Sequence, residues 1–410
     1  MSTRIVILFI ILLFIDLMAF QAVRQVVGNS ARTIRTITYI VYWLVPVLSM
    51  AYILSAITGY TDAFPKGLQS VLRAMVFILY FTKLMIAVVI LIDDIRRLLF
   101  SAINLGFSNV HLSTERSKWM AYGAVLLGAI PFLSLTYGMA RNPYRYRLTN
   151  TKLPVKDLHP DLHGLKIVQI SDIHSGSFLL KEPVERSVQM ILEQKPDIIF
   201  FTGDLVNNLA NEMEPFLEMF SQAKAPLGVY SILGNHDYGD YHHWDNPDDK
   251  RKNFEELKNM HARLGWKLLL NEHVSVPVKE TSINVIGVEN YSASPRFPKH
   301  GDLKLATQDM PKEVFNVLLS HDPSHWHAQV TTDHPDIHLT LSGHTHGFQF
   351  GVEIPGVFKW SPVQYMYPQW AGLYEKAGQY LYVNRGLGYL GYPGRVGILP
   401  EITLITLETA

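Results

Sequence analysis

Four long apolar runs fill the first third of the chain, and beyond them the pattern breaks into short β-type stretches alternating with helical ones. The runs cover roughly residues 5–27, 37–57, 71–92 and 120–139. Each is close to the ~20 residues a helix needs to cross a hydrocarbon core of about 30 Å. Helices of a soluble bundle would carry a polar stripe, which these runs mostly lack. Trp43, Tyr60, Trp119 and Tyr137 sit near their ends, as interfacial aromatic belts do. A removable leader accounts for the first run only, and no small-residue cleavage site follows it. Residues 1–140 are therefore expected to form a transmembrane region of four helices.

Two charges interrupt these runs, Asp16 in the first and Lys83 in the third. With four spans, both helices run the same way across the bilayer and both residues fall near mid-depth, where an unpaired charge costs several kcal/mol. The two are expected to pair inside the bundle; the alternative is that one snorkels or lines an aqueous pocket. Basic residues near the span ends divide evenly between the two sides, so the positive-inside rule leaves the orientation open.

Residues 141–164, with Pro143, Pro154 and Pro160, read as an irregular connector. Candidate strands follow at 165–171, 197–203, 228–233, 283–288, 315–320 and 337–342, and 182–194 has the length and pattern of an amphipathic helix. That alternation predicts an α/β domain over 165–410. Five of the strands run into tight groups of metal-capable side chains. These are Asp172-Ile173-His174, Gly203-Asp204, Gly234-Asn235-His236-Asp237, His321-Asp322 and Gly343-His344-Thr345-His346-Gly347. In open α/β sheets ligands bind outside the carboxyl ends of strands, and adjacent glycines permit the sharp turns that bring separate strands together. Histidines at i and i+2 of an extended segment project to one side, which suits two ligands for adjacent metals. Singly such motifs are weak, and a lone histidine such as His163 or His338 is more often a core or surface residue. Five in this order are specific.

Composition narrows the chemistry. The 36 basic and 36 acidic residues cancel, and no basic, aromatic-rich stripe suggests a nucleic-acid groove. Cysteine is absent, so a metal here must use nitrogen and oxygen ligands. Mixed carboxylate and imidazole donors suit Mn, Fe or Zn.

The ordered set Asp172-x-His174, Gly203-Asp204, Gly234-Asn235-His236-Asp237, His321 and Gly343-His344-x-His346 resembles the calcineurin-like metallophosphoesterase superfamily. The tail Asn384-Arg385-Gly386-Leu387-Gly388, followed by Pro400-Glu401-Ile402, is similar to its bacterial branch of YkuE- and YaeI-like enzymes. The resemblance runs from about residue 165 to the C-terminus and does not cover the apolar helices. It implies a four-layer αββα sandwich of two β-sheets flanked by helices, and two divalent cations. Asp172, His174, Asp204 and His346 would hold the first; Asp204, Asn235, His321 and His344 would hold the second, with Asp204 bridging. His236 matches the catalytic histidine near the leaving group. Two such ions ~3.5–4 Å apart would generate a hydroxide at neutral pH and stabilise charge developing on the phosphoryl oxygens. Two departures are visible: Asn207 stands where many members carry Asp, and Gly347-Phe348-Gln349 lacks the second glycine of close relatives, a change expected to alter the pocket floor.

Arg385 and Arg395 are weaker candidates, for substrate phosphate or equally for structural ion pairs. Residues 238–249, with His242, His243 and Trp244, read as an exposed insertion that shapes substrate entry or is plain surface loop. The expectation is a membrane-anchored phosphoesterase for mono-, di- or pyrophosphate bonds. Its substrate is either a small soluble ester or a lipid-linked one, such as a UDP-diacylglucosamine-like glycolipid precursor. The rival is a membrane sensor or transporter that the phosphoesterase domain regulates, although four spans are few for a transporter and no paired broken helices stand out.

Overall fold

The computed structural model describes residues 3–107, 109–311, 314–354 and 356–410. They form two units, Met1–Tyr137 and Gly138–Ala410.

The first unit is built on α1 (Thr3–Val27), α2 (Arg32–Ile57), α3 (Lys66–Gly106) and α4 (Lys118–Ala140), all long and apolar enough to span a membrane. Large apolar side chains such as Ile10, Ile40, Leu48 and Leu126 are exposed, the reverse of a water-soluble bundle. Inside, the small residues Ala19, Ala22, Ala121 and Ala124 pack with Ile86 and Ile90, letting helix backbones approach. The expected pair is formed: Lys83 Nζ lies 2.6 Å from Asp16 Oδ1, and both residues are buried. Tyr80 Oη donates to Asp16 Oδ2 at 3.1 Å, so both carboxylate oxygens have a partner, and Tyr42 Oη donates to the Asp16 backbone carbonyl at 2.6 Å. Neither charge snorkels. The third helix is longer than its apolar run, 41 residues, or about 60 Å. Its apolar part ends at Asp93 and Asp94, whose carboxylates tie Arg96, Arg97 and Arg116. Beyond them the helix continues to Gly106, with this ion-pair group satisfying the polar side chains.

The second unit is a sandwich of two six-stranded sheets. The first runs β1 (Arg147–Val155), β14 (Glu401–Thr409), β2 (Lys166–Ile170), β3 (Ile198–Phe201), β4 (Val229–Ser231) and β5 (Lys267–Leu268). The second runs β12 (Gly372–Lys376), β13 (Gln379–Val383), β9 (Leu339–Ser342), β8 (Phe315–Leu319), β7 (Thr281–Gly287) and β6 (Glu272–Val278). Strand side chains alternate between faces, so each strand feeds two cores. Ile167, Ile198, Phe200, Val285, Val317 and Leu341 fill the space between the sheets. Their neighbours Val168, Ile199 and Phe201 pack under α5 (Lys181–Glu193), the short α6 (Leu217–Phe220) and α7 (Pro247–Leu264). On the far side Ile286, Leu318 and Leu381 meet Trp326 and Val330. The two sheets with helical segments outside them match the expected sandwich.

Every strand read from the sequence is present, within a residue or two at its ends. One reading fails. Within the supposed irregular connector, β1 forms a parallel ladder with β14, from Arg147↔Glu401 to Val155↔Thr409. Its partner lies about 250 residues away in sequence, so no local pattern announces the pairing.

Candidate metal centre

Five strand ends deliver the site. The residues after β2, β3, β4, β8 and β9 carry Asp172 and His174, Asp204, Asn235 and His236, His321, and His344 and His346. The chain turns abruptly at each end: Asp172, His174, Asp204, His344 and His346 all adopt left-handed backbone, with φ between 45° and 69°. Such conformations are uncommon outside glycine and concentrate at functional sites. The close approach also fixes two glycines. A Cβ on Gly234 would lie 2.1 Å from Asp204 Oδ1, and one on Gly343 would lie 2.2 Å from Asp172 Oδ2.

Donor atoms gather tightly. Asp172, His174 and His346 form one group and Asp172, Asp204 and His321 another, each offering ligand atoms within 4.8 Å of one another. His174 Nε2 and His346 Nε2 are 3.1 Å apart, and His346 Nε2 is 3.2 Å from Asp172 Oδ1. Asp204 Oδ2 stands between imidazoles of both groups, 3.4 Å from His174 and 3.2 Å from His321. Asn235 Oδ1 and His344 Nδ1, 2.8 Å apart, complete the cluster.

This set fits a metal. Asp172 and Asp204 are buried, yet among the described residues neither pairs with a lysine or arginine. Buried carboxylates are ordinarily paired or bound to cations. Burial opposes charge on Asp204, but His321 and then His236 hold it well below the usual carboxylate range. Burial likewise opposes protonation of His321, yet the Asp204 charge lifts it to about 10. The proton of this pair thus sits on His321, where a divalent ion would displace it. Burial lowers His174 to about 3, keeping it neutral as a ligand must be.

Second partners aim the donors. The Thr202 carbonyl accepts from His321 Nδ1 at 2.7 Å, leaving Nε2 toward Asp204. His344 Nε2 contacts Tyr367 Oη at 2.9 Å, and Tyr367 donates to Asp322 Oδ2 at 3.2 Å. Asp237 Oδ atoms accept from the amides of Asp204, Leu205, Val206 and Gly234, clamping two of the loops together. Burial, then the Asp204 charge, pushes Asp237 up to about 7. His236 is half-buried at the rim, its Nδ1 2.8 Å from the Asn207 carbonyl and its amide donating to Asp204 Oδ1 at 2.9 Å. The Asn207 departure therefore leaves His236 oriented, because the backbone does the orienting.

The weaker candidates lie elsewhere. Arg385 is buried against Glu401 and Glu353. Arg395 is buried too, donating to the carbonyls of Arg385, Gly386 and Gly388 with its guanidinium 3.4 Å from His346 Nδ1. Both guanidiniums hold the chain rather than open space. In the 238–249 stretch, Tyr241 Oη accepts from Asn235 Nδ2 at 3.0 Å and its ring lies 4.4 Å from that of His236, so part of this loop borders the site. His242, His243 and Trp244 do not join the cluster; Trp244 donates to the Gly239 carbonyl. Phe348 does not reach the pocket floor: it is exposed, on left-handed backbone with φ 56°. Tyr367 was invisible in the sequence, since nothing about its neighbours marks it, whereas Asp237 and Asp322 sat inside the motifs without their roles being readable.

Two family models match this chain. "Probable Calcineurin-like phosphoesterase, transmembrane domain" covers residues 3–143, and "Calcineurin-like phosphoesterase" covers residues 165–348. The metallophosphoesterase YkuE of Bacillus subtilis is 30% identical over 292 residues, 70% of this chain and 95% of that one. A zebrafish "Transmembrane protein with metallophosphoesterase domain" is 33% identical over 295 residues, and a bovine protein with the same description is 28% identical over 310. These matches take in 70% and 73% of this chain but 63% and 65% of the vertebrate proteins, so the chain spans less than two thirds of their length.

Proposed function

This chain belongs to the calcineurin-like metallophosphoesterase family, and from that premise we propose that it is a membrane-anchored hydrolase of phosphoric esters working through a pair of divalent cations. The observation that carries the reading is Asp204 Oδ2, set between His174 and His321 in a buried cluster with no lysine or arginine to neutralise it. In this reading Asp172, His174, Asp204 and His346 hold one cation, and Asp204, Asn235, His321 and His344 hold the other. Bound there, Mn, Fe or Zn would supply Lewis acidity, lowering the pKa of water toward about 7 and drawing charge from the phosphoryl oxygens. The chain's own groups do the rest. Asn235 and His344 fix one side of the pocket, and Tyr367 and Asp322 keep the His344 ring from rotating. His236, anchored through Nδ1 by the Asn207 carbonyl, keeps Nε2 available to hold the phosphoryl group or to protonate the leaving oxygen. Arg385 and Arg395 brace the 385–388 loop, whose Leu387 and Gly388 amides bind the Ser171 and Asp172 carbonyls, instead of meeting substrate.

The transmembrane family match over 3–143 supports a substrate at the bilayer, and a lipid-linked phosphoester of the UDP-diacylglucosamine kind is our candidate. The test is metal content and turnover of the purified protein, against chromogenic mono- and diesters and a UDP-lipid, with Mn²⁺ supplied. Asp204→Ala should lose both bound metal and activity. Full turnover by that variant would overturn the mechanism.

A further inference from the structure

Beside the metal centre a short hairpin is built inside out. Strands β10 (Val352–Ile354) and β11 (Phe358–Trp360) pair antiparallel, with Val352 opposite Trp360, Glu353 opposite Lys359 and Ile354 opposite Phe358. Successive side chains in a strand point to opposite faces. Here the charged pair turns toward the catalytic unit: Glu353 binds Arg147 and Arg385, and Lys359 reaches the Ala371 carbonyl. The other face is apolar and open. Val352, Ile354 and Phe358 are about half exposed and Val357, near the turn, is 80% exposed. Phe348 and Phe350, which lead into the hairpin, are exposed as well. In water an antiparallel sheet puts its polar face outward, and a contiguous apolar patch rimmed by charge marks an interaction surface.

Chain connectivity bounds its distance from the last apolar helix. Six residues separate Ala140, the end of the last membrane-spanning helix, from the start of β1 at Arg147. That tether reaches at most about 25 Å even when extended. Within the catalytic unit the Gly138 carbonyl accepts from the Arg395 amide at 3.1 Å, and the next residue, Val396, accepts from the amide of Gly351 at 2.9 Å. Gly351 is where the hairpin begins. The apolar face therefore starts two hydrogen bonds from the last turn of α4. At its other end Ser361 Oγ donates to the Gly347 carbonyl at 2.9 Å, one residue from His346.

We propose that the outer face of this hairpin, with Phe348 and Phe350, dips into the lipid bilayer and holds the metal centre at the membrane surface, where it takes phosphoesters whose apolar part stays in the lipid. This rests on the phosphoesterase reading for its substrate, though not for the docking itself.

The chain has no cysteine, so Val357→Cys offers a unique thiol for an environment-sensitive fluorophore on the full protein in phosphatidylcholine–phosphatidylglycerol nanodiscs. A label on Lys279→Cys, whose side chain is 71% exposed, serves as the aqueous reference. Quenching by lipids spin-labelled near the headgroup should be severalfold stronger at 357 than at 279, with iodide showing the opposite order. Equal iodide access at both positions, or protection of 357 from both quenchers as a covering protein would give, overturns the proposal. A second arm compares substrates. In Ile354→Asp/Val357→Asp, turnover of a soluble chromogenic diester should hold, while turnover of a vesicle-embedded phosphoester falls about tenfold or more. Equal loss on both substrates, or no loss on either, also overturns it. If the parent protein cleaves no phosphoester, the activity reading fails while the quenching result still decides the docking.

Discussion

His236 and Asp237 are adjacent in one motif and do different work. His236 faces the pocket rim with its Nδ1 on a backbone carbonyl, so its loss removes a proton donor while the buried donor atoms stay. His236→Ala should lower the chemical rate by roughly 10²–10⁴-fold, with metal content by elemental analysis unchanged. Asp237 instead binds four backbone amides and joins neither group of donors. Sequence reading singled out His236 through the resemblance and gave Asp237 no role, because that role depends on which way a turn points the side chain. Farther away, His261 on α7 shows burial acting alone: with Nδ1 3.0 Å from Ser231 Oγ, it is held down at about 3. An unfolded histidine titrates near 6.5, so between those values the unfolded chain binds the extra proton and stability falls as pH drops, by about 2 kcal/mol at pH 5. His261→Asn, which keeps a partner for Ser231, should shrink the loss of Tm between about pH 7 and pH 5.

At the scale of elements, what was legible was local. β2, β3, β8 and β9 are short apolar runs, fully buried or nearly so, that end in polar groups, and both features are written in consecutive residues. β1 carries Pro154 and a mostly half-exposed pattern, and it is a strand only because β14 lies beside it. The tail that resembled the YkuE-like branch proved to be a packing element: Glu401 holds Arg385, and Asn384 binds Thr403. Among the helices, the pairing of Asp16 with Lys83 was legible because depth in a bilayer converts sequence position into height. Asp16→Asn and Lys83→Met should each lower the Tm in detergent, because each strands the partner's charge, a loss of several kcal/mol. The double variant should recover much of the loss; if it melts as low as the worse single, the two are not coupled.

The molecule as a whole is two units with separate cores, one of small residues between apolar helices and one of interleaved strands. The sandwich core owes nothing to the first unit, so a chain beginning at Gly138 should fold and turn over soluble esters. A chain beginning at Lys152 deletes the first half of β1 and uncovers β14, and circular dichroism should find it unfolded or aggregated. That boundary could not be chosen well from sequence, where residues 141–164 read as an irregular connector. Multi-pass membrane residence was legible from the apolar runs and agrees with the transmembrane family match.

Five of the metal-capable residues stand on left-handed backbone, each at a cost of order 1–3 kcal/mol. Grafting these side chains onto an idealised α/β scaffold would transfer the donors without their aim, because relaxed strand ends would point them apart. The transferable part of this site is thus the contorted joint after each strand, glycine neighbours included, and a designer would have to move the joints whole.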